Sequence, residues 1–289
     1  MITWPNDIID DIARRRCILV LGAGVSKNST NNNGNRPKDW KEFLESATQL
    51  ITGRLKTEIK KQIKSGDFLT ACELIKKEIG ENGFNDLIRN EFITPQFNDA
   101  KIHKHIFELD SKIVITPNFD KIYDTYATTA TKGSITIKKF YDSDIADCIR
   151  RPERLIIKIH GSADSPNYLI FTRKDYSEAR IKHRDFYHLL DALSITHTFI
   201  FIGCGTNDPD IRLILEDYSF KYSHNREHYI VMPKKSVHSK VQEIFEDTMS
   251  LRSILYDSKN NHEELTKSLE DLVKKVDLKR DELANSRNW

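Results

Sequence analysis

The sequence has few cysteines, no long apolar run and no excess of charge of either sign. The four cysteines, Cys17, Cys72, Cys148 and Cys204, lie far apart and form no Cys-x-x-Cys pair, which argues against a disulfide framework and against a zinc site. Lys and Arg number 45 against 43 Asp and Glu, a balance that argues against a protein whose main task is to bind nucleic acid. No apolar stretch approaches the roughly 20 residues of a membrane span, and the acidic N-terminal segment is unlike a secretory signal. We therefore expect a cytoplasmic protein without membrane anchor, zinc or directly bound nucleic acid.

Glycine is also scarce, with 11 residues where average usage would give about 20. The sequence contains no internal repeat, no low-complexity linker and no Pro-rich hinge. A chain of this length fits one large α/β domain or a core domain with a small insert. We predict one domain over residues 1–289.

Five short apolar runs rich in β-branched residues indicate strands, and a sixth run is weaker. They do not alternate between apolar and polar residues, which is typical of strands covered on both faces. The runs are Cys17–Leu21, Lys112–Ile115, Leu155–Ile159, Thr198–Ile202 and His228–Met232, with Ser253–Tyr256 as the weaker one. Charged amphipathic segments separate them, so the sequence predicts an α/β fold, a Rossmann-like doubly wound parallel sheet.

Two segments predict helices outside this repeating pattern. Residues 40–105 have a helical, Lys- and Glu-rich pattern that is far longer than one crossover connection requires, so we predict a helical insert there. Residues 263–283 place four apolar side chains on one helical face, at spacings of four, three and four. This pattern favours a C-terminal helix packed on the core over a contact with another subunit.

Polar or glycine-containing segments follow the first four predicted strands directly. In an open parallel sheet, ligands bind outside the carboxyl ends of the strands. The segments are Leu21–Ser26 (LGAGVS), Thr116–Asp120 (TPNFD), His160–Ser162 (HGS) and Gly203–Asp210 (GCGTNDPD), and they contain the five glycines Gly22, Gly24, Gly161, Gly203 and Gly205. Because nearly half of the scarce glycines fall there, we predict a nucleotide site at this edge of the sheet.

Each segment also has a structural explanation. Gly22 and Gly24 suit either a pyrophosphate contact or a strand-to-helix turn, and Lys27 stands where the third glycine of a dinucleotide-binding motif would be. Asp120 suits an Asx-turn that caps the next helix, and Asn118 suits either such a turn or a contact with a ribose hydroxyl or a water. The residues alone leave these alternatives open.

The third and fourth segments pose the same choice. His160 follows a buried strand and precedes a glycine, which suits an acid–base residue or a hydrogen-bonded structural histidine. Asp208 precedes Pro209, as at a helix N-cap. Cys204 has no cysteine partner and no evident cluster of activating charges, so we interpret it as a packed thiol.

Taken in order, GAGVS, TPNFD, KIHGS and FIGCGTNDPDI resemble the motifs of the sirtuin-like NAD-binding family, most closely its bacterial antiphage-defence members. The segment LIFTRKDYSEA resembles another motif of that family. The resemblance implies that Asn118 and His160 are catalytic and places the nicotinamide ribose and the attacking water beside the Thr-x-Asn-x-Asp element. It assigns the contacts with the rest of NAD to Gly22, Ala23, Gly24, Ser26, Thr116, Asp120, Gly203, Gly205 and Thr206.

The function implied is cleavage of NAD to nicotinamide and ADP-ribose. The four-cysteine zinc module of deacetylating sirtuins is absent from the sequence, so water is the expected acceptor and no metal is expected. The resemblance also implies a role in abortive infection, a homo-oligomer, and activation by a partner such as a hexameric HerA-type ATPase. The alternatives are a regulatory subunit that binds NAD or ADP-ribose without chemistry and, with less support, an NAD-dependent protein deacylase.

Overall fold

A computed structural model of the chain describes residues 1–205, 208–222 and 226–287. Seven parallel strands form one sheet in the order β3-β4-β2-β1-β5-β6-β7. They are β1 (Cys17–Leu21), β2 (Ile113–Thr116), β3 (Thr136–Lys139), β4 (Leu155–Lys158), β5 (Thr198–Ile202), β6 (His228–Pro233) and β7 (Leu251–Tyr256). The predicted α/β class and the Rossmann-like parallel sheet are confirmed.

Helices connect the strands and cover the sheet. In chain order they are α1 (Asn6–Ala13), α2 (Ala23–Ser26), α3 (Trp40–Ala47), α4 (Gly53–Ser65), α5 (Phe68–Phe92), α6 (Lys101–Glu108), α7 (Ile122–Ala130), α8 (Ile145–Arg150), α9 (Arg173–Lys182), α10 (Arg184–Thr196), α11 (Pro209–Lys221), α12 (Ser239–Met249) and α13 (Lys259–Ser286). None of the helices within the described ranges is both long and apolar enough to cross a membrane.

The sheet is buried on both faces, as continuous apolar strands predict. Successive residues of a strand point to opposite faces, so Leu19 and Leu21 lie in one hydrophobic cluster, with α1, α6 and α13. Ile18 and Val20 lie in the other, with α10, α11 and α12. Helices therefore cover both faces of the sheet, and polar side chains that could contact a ligand lie mainly at the ends of the strands.

Strand β3 is the one element of the sheet that the apolar runs did not indicate. It lies at the edge of the sheet, where it pairs only with β4. Its four residues, TIKK, are all half-buried, and an edge strand of this kind needs no continuous apolar sequence.

The segment between β1 and β2 contains a second, separate hydrophobic cluster. Its side chains come from α3, α4 and α5, together with Phe119 and Phe171 of the main body. Helix α6 instead packs in the main core through Ile102 and Ile106. Within the predicted insert of 40–105, only residues 40–92 thus contribute side chains to the separate cluster, because α6 is the crossover helix that leads into β2.

The C-terminal helix α13 packs on the main core. Leu265, Leu269, Leu272 and Val276 are almost fully buried, as the apolar spacing indicates. Residues 260–262 have positive φ angles, so the regular part of α13 begins at about residue 263.

The order of the strands determines where a ligand crevice can form. The chain passes from β1 to β2 on one side of β1 and later returns to place β5 on the other side. Ligands in open α/β sheets bind outside the carboxyl ends of the strands, at such a reversal of strand order. The crevice of this fold therefore lies where β1 and β5 end.

Candidate active site at the carboxyl ends of the strands

The segments that follow β1 and β5 contact each other directly. The Gly24 N–H donates to the Gly203 carbonyl at 2.9 Å, and the Gly22 N–H donates to the Ile202 carbonyl at 3.0 Å. A Cβ on Gly22 would lie 2.4 Å from the Gly203 oxygen. Gly203 has a φ of +66° and would place a Cβ 2.5 Å from the Val25 nitrogen. The sequence analysis assigned Gly22, Gly24 and Gly203 to ligand contacts. In this structure, the close contact between the two backbone segments already requires glycine at all three positions.

Gly205 differs from the other three glycines. Among the residues that the structure describes, no atom lies within 4 Å of the position that its Cβ would occupy. The predicted residue Thr206 lies outside the residues that the structure describes. Ala23 begins the four-residue helix α2, which ends at Ser26.

Ser26, Asn118 and Asp120 form a hydrogen-bonded chain across the ends of β1 and β2. The Ser26 hydroxyl donates to Asp120 Oδ2 at 2.8 Å and accepts from Asn118 Nδ2 at 3.1 Å. Asp120 Oδ1 accepts the Ile122 N–H at 3.0 Å, so the expected Asx-turn is present as well. Because the Asn118 NH2 group is used in this chain, its carbonyl oxygen is the part of the amide left to accept a hydrogen bond.

Thr116 fixes the backbone on which Asn118 sits. It ends β2, and its buried hydroxyl donates to the Leu21 carbonyl at 2.7 Å while it accepts the Asn118 N–H at 3.1 Å. One side chain therefore joins the ends of two strands and orients the residue that follows them.

A buried ion pair lies beneath this hydrogen-bonded chain. Lys158, the last residue of β4, donates to Asp124 Oδ2 at 2.9 Å and to the Asp120 carbonyl at 2.6 Å. The Lys158 and Asp124 side chains are 1% and 4% exposed. Burial raises the pKa of Asp124, and the Lys158 ammonium acts against that rise. Lys158 is the one charged residue within the apolar run Leu155–Ile159. A charge at such a position indicates a buried ion pair, and the sequence analysis did not use this signal.

His160 lies in a second polar cluster, formed with residues from α9 and α11. Its side chain is 5% exposed, and its Nε2 lies 3.5 Å from Asp208 Oδ2 and 3.9 Å from Asp210 Oδ2. Its ring packs edge-on against Tyr176, with 5.1 Å between the centroids. The histidine is thus held by carboxylates and an aromatic ring, in a setting suited to acid–base chemistry.

The carboxylates of the second cluster have partners of their own. Arg180 Nε and the Tyr187 hydroxyl donate to Asp210, each at 2.8 Å. Burial raises the pKa of Asp210; the neighbouring His160 and Arg180 act against that rise, and Asp208 adds to it. The second polar cluster thus has six members, and the sequence singles out only His160 and Asp208 among them; the others are Tyr176, Arg180, Tyr187 and Asp210.

A backbone hydrogen bond joins the loops that carry Asn118 and His160, and a close backbone contact fixes the His160 loop against the segment that crosses it. The Ala163 N–H donates to the Phe119 carbonyl at 2.9 Å. Gly161, with a φ of +83°, would place a Cβ 2.4 Å from the Tyr168 carbonyl oxygen, so only glycine fits between His160 and the segment that crosses it. Within the described ranges, no hydrogen bond links the side chains of the two clusters directly.

The remaining sulfur and acidic groups show no further centre. Burial raises the pKa of the Cys204 thiol, which supports its interpretation as a packed thiol. Among the residues that the structure describes, no three His, Cys, Asp or Glu side chains are grouped to share a metal ion.

An open cleft of about 550 Å³ lies at the opposite end of the strands, beside the amino ends of β5 and β6. It contains the buried Asp11, which accepts from the Thr198 hydroxyl at 2.6 Å and from Arg226 at 3.1 Å. The hydrogen bonds from Thr198 and Arg226 explain, without a ligand, why the Asp11 carboxylate can be buried there. The chemistry-bearing residues therefore concentrate at the carboxyl edge, and not in this cleft.

The chain is similar to one known domain family and to several known proteins. Residues 112–254 match the SIR2-like domain family. The NAD(+) hydrolase ThsA of Acinetobacter baumannii (strain 532279) is 23% identical over 93% of this chain and 55% of its own length. The protein of the same name from Bacillus cereus (strain MSX-D12) is 22% identical over 95% of this chain and 57% of its own length.

A further relative is the defense-associated sirtuin 2 of Bacillus subtilis, which is 23% identical over 73% of this chain and 20% of its own length. The chain thus spans about half the length, or less, of the curated relatives it matches. The family match begins at β2 and ends in β7, and it includes Asn118, His160 and Asp208. Residues 112–254 of this chain are therefore similar to a SIR2-like domain, and they contribute six strands to the Rossmann-type parallel sheet.

Proposed function

We propose that this chain cleaves NAD+ to nicotinamide and ADP-ribose, with water as the acceptor. The observation that supports the proposal most is the Asp120–Ser26–Asn118 chain, which joins the carboxyl ends of β1 and β2 and orients the Asn118 amide. The names of the relatives from Acinetobacter and Bacillus, NAD(+) hydrolase, support the same activity.

The bond to be broken joins a cationic pyridinium ring to the ribose, so nicotinamide leaves as a neutral molecule and needs little acid catalysis. The transition state resembles an oxocarbenium ion, and the protein's tasks are to desolvate the pyridinium ring, to stabilise the positive charge and to aim the one attacking water. In the proposal, the Asn118 carbonyl accepts a hydrogen bond from the attacking water. His160 accepts a proton from that water or from a ribose hydroxyl, a contribution typically worth about 10²–10⁴-fold in rate.

The remaining predicted residues have supporting roles in the proposal. Ser26 and Asp120 orient Asn118, and Thr116 fixes its backbone. Ala23, Gly24 and Gly205 border the crevice through which the pyrophosphate and the adenosine half would enter. Lys158 stabilises the loop beneath Asp120.

The test is to replace Asn118 and His160 separately by alanine and to measure NAD turnover by chromatography. We expect each variant to lose most of the activity and to keep the wild-type unfolding curve. The exposed residues Asn33 and His188 provide matched controls, and their alanine variants should keep wild-type turnover. Near-wild-type turnover in both Asn118→Ala and His160→Ala would refute the mechanism.

The same assay separates the alternative functions. Resolving nicotinamide, ADP-ribose and cyclic ADP-ribose distinguishes a hydrolase from a cyclase. A regulatory subunit that only binds NAD would leave NAD intact under every condition, and a deacylase would need an acylated peptide as acceptor. The buried His160, whose Nε2 lies near two carboxylates, favours an enzyme over a subunit that only binds NAD. The absence of the four-cysteine zinc module from the sequence counts against the deacylase.

We further propose that this activity serves antiviral defence and requires assembly. The defence role is supported by the name of the Bacillus subtilis relative. Homo-oligomerisation and activation by a HerA-type ATPase are supported by the motif resemblance alone. The molar mass of the purified chain in solution tests homo-oligomerisation. Co-purification with the candidate ATPase, followed by the NAD assay on the chain alone and on the complex, tests activation. A chain that is equally active with and without the ATPase contradicts the activation proposal.

A further inference from the structure

The Asp208 carboxylate uses its two oxygens for two different purposes. Oδ1 accepts the Asp210 and Ile211 N–H groups at 3.0 and 3.1 Å, which caps the 13-residue helix α11. Oδ2 accepts the Tyr176 hydroxyl at 3.3 Å and lies 3.5 Å from His160 Nε2. The helix cap therefore holds one oxygen and directs the other towards the histidine.

His160 Nε2 is buried and makes no hydrogen bond to any residue that the structure describes. Catalytic hydrogen bonds are often long in ligand-free structures and tighten when the substrate binds. Of the two nearby carboxylates, Asp210 is already bonded to Arg180 and Tyr187. For Asp208, in contrast, His160 is the one ion-pair partner found in the described part of the chain.

We propose that Asp208 is a positioning residue for His160. The Asp208 carboxylate holds the Nε2–H form of the ring, so that Nδ1 carries the lone pair that accepts the proton from water or a ribose hydroxyl. When His160 takes up that proton, the carboxylate beside it stabilises the imidazolium that forms. This inference rests on the proposed NAD cleavage, and it assigns to Asp208 a function beyond capping α11.

An asparagine at position 208 separates the two functions of Asp208. Asparagine caps helices about as well as aspartate, and capping requires its oxygen to face the N–H groups at the start of α11. The amide NH2 then stands where Asp208 Oδ2 stood and presents a donor to His160 Nε2. A donor at that position favours the opposite tautomer, with the proton on Nδ1 and no lone pair there for catalysis.

The first experiment reads the tautomer directly and needs no activity. The full chain is labelled with ¹⁵N-histidine, and the His160 signals are identified by comparison with His160→Ala. We expect the Nε2–H tautomer in the wild type and the Nδ1–H tautomer in Asp208→Asn. If His160 shows the same tautomer in both proteins, the inference is overturned, whether or not the chain cleaves NAD.

The second experiment is a double-mutant cycle on NAD turnover, using the activating complex where one is needed. We expect Asp208→Asn to lower kcat by about 10²-fold or more, up to the loss seen with His160→Ala. In the His160→Ala background, Asp208→Asn should change kcat by less than about two-fold, because its effect acts through His160. Losses that multiply in the double variant would overturn the inference.

Asp67→Asn is the matched control. Asp67 caps helix α5, where it accepts the Thr70 N–H at 3.1 Å, so the same chemical change occurs at another helix cap. We expect wild-type turnover and unfolding from this variant, and unchanged unfolding from Asp208→Asn. If His160→Ala itself keeps full turnover, the proposed mechanism fails, and the tautomer experiment still decides the role of Asp208.

Discussion

Replacing Lys158 by methionine should strongly destabilise the protein. The substitution keeps the apolar stem of the side chain and removes the charge that lies 2.9 Å from Asp124 Oδ2. Both side chains are almost fully buried, at 1% and 4% exposure, so solvent cannot compensate the remaining carboxylate. Removing one partner of such a pair typically costs about 3–5 kcal/mol. The Asp120 carbonyl also loses its 2.6 Å hydrogen bond, which places the expected loss towards the upper end of that range.

The measurement is equilibrium unfolding in urea, followed by far-UV circular dichroism at neutral pH. We expect Lys158→Met to lower the free energy of unfolding by about 3–5 kcal/mol, a large part of the total of about 5–15 kcal/mol that is usual for a domain. Lys267→Met is the matched control, because Lys267 pairs with Glu263 at 2.7 Å on an exposed face of α13. There the loss should be no more than about 0.5 kcal/mol.

Two further measurements test the physical reason for the loss. The double variant Lys158→Met/Asp124→Leu removes both buried charges and should recover most of the stability lost in the single variant. Burial raises the pKa of Asp124, so the carboxyl group becomes neutral more readily as the pH falls. The deficit of Lys158→Met relative to the wild type should therefore shrink in acid. The explanation is refuted if the single variant is as stable as the wild type, or if the double variant is no more stable than the single one.

Two other predictions concern backbone contact and pH. Gly22→Ala should destabilise the protein by about 1–3 kcal/mol, because its Cβ would lie 2.4 Å from the Gly203 oxygen. Gly205→Ala should leave the urea midpoint unchanged, because no described atom lies within 4 Å of its Cβ position. For His228, burial lowers the pKa to about 4 from its ordinary value of 6.5. Between these two pH values the unfolded chain binds a proton at His228 and the folded chain does not. The free energy of unfolding should therefore fall as the pH drops from about 6.5 to 4. In a variant with His228 replaced by phenylalanine, the decrease in unfolding free energy between pH 6.5 and 4 should be smaller by about 3 kcal/mol. An equally steep decrease in the variant would show that His228 is not the cause.

Much of the sheet could be predicted because its strands are buried on both faces. A strand such as Thr198–Ile202 must be apolar along its whole length when helices cover both sides, and that requirement is visible in the sequence. Strand β3 could not be found in this way, because an edge strand with half-buried side chains carries no such requirement. The prediction of the fold class therefore depended on the central strands.

The candidate site could be predicted as a set of strand ends, but not as a set of contacts. Parallel strands bring their carboxyl ends to one edge, so the approach of Ser26 to Asn118 and Asp120 follows from the topology. Nothing local in the sequence pairs His160 with Asp208, which lies 48 positions further along the chain. Asp208 also had a sufficient local explanation as a helix cap, and a residue with one evident function gives no sequence signal of a second.

The scarce glycines carry less of the functional argument than their positions in the sequence indicate. Gly22, Gly24 and Gly203 are each required by contact between the segments that follow β1 and β5, and the Gly24 N–H is already bonded to the Gly203 carbonyl. A fold that needed this contact for stability alone would place glycine at the same three positions. His160 cannot be explained in the same way, because it follows β4 and belongs to neither segment, and its buried Nε2 lies near the Asp208 and Asp210 carboxylates. The proposal of NAD cleavage therefore depends on Asn118 and His160, and substitutions of the glycines report on the stability of the crevice rather than on its chemistry.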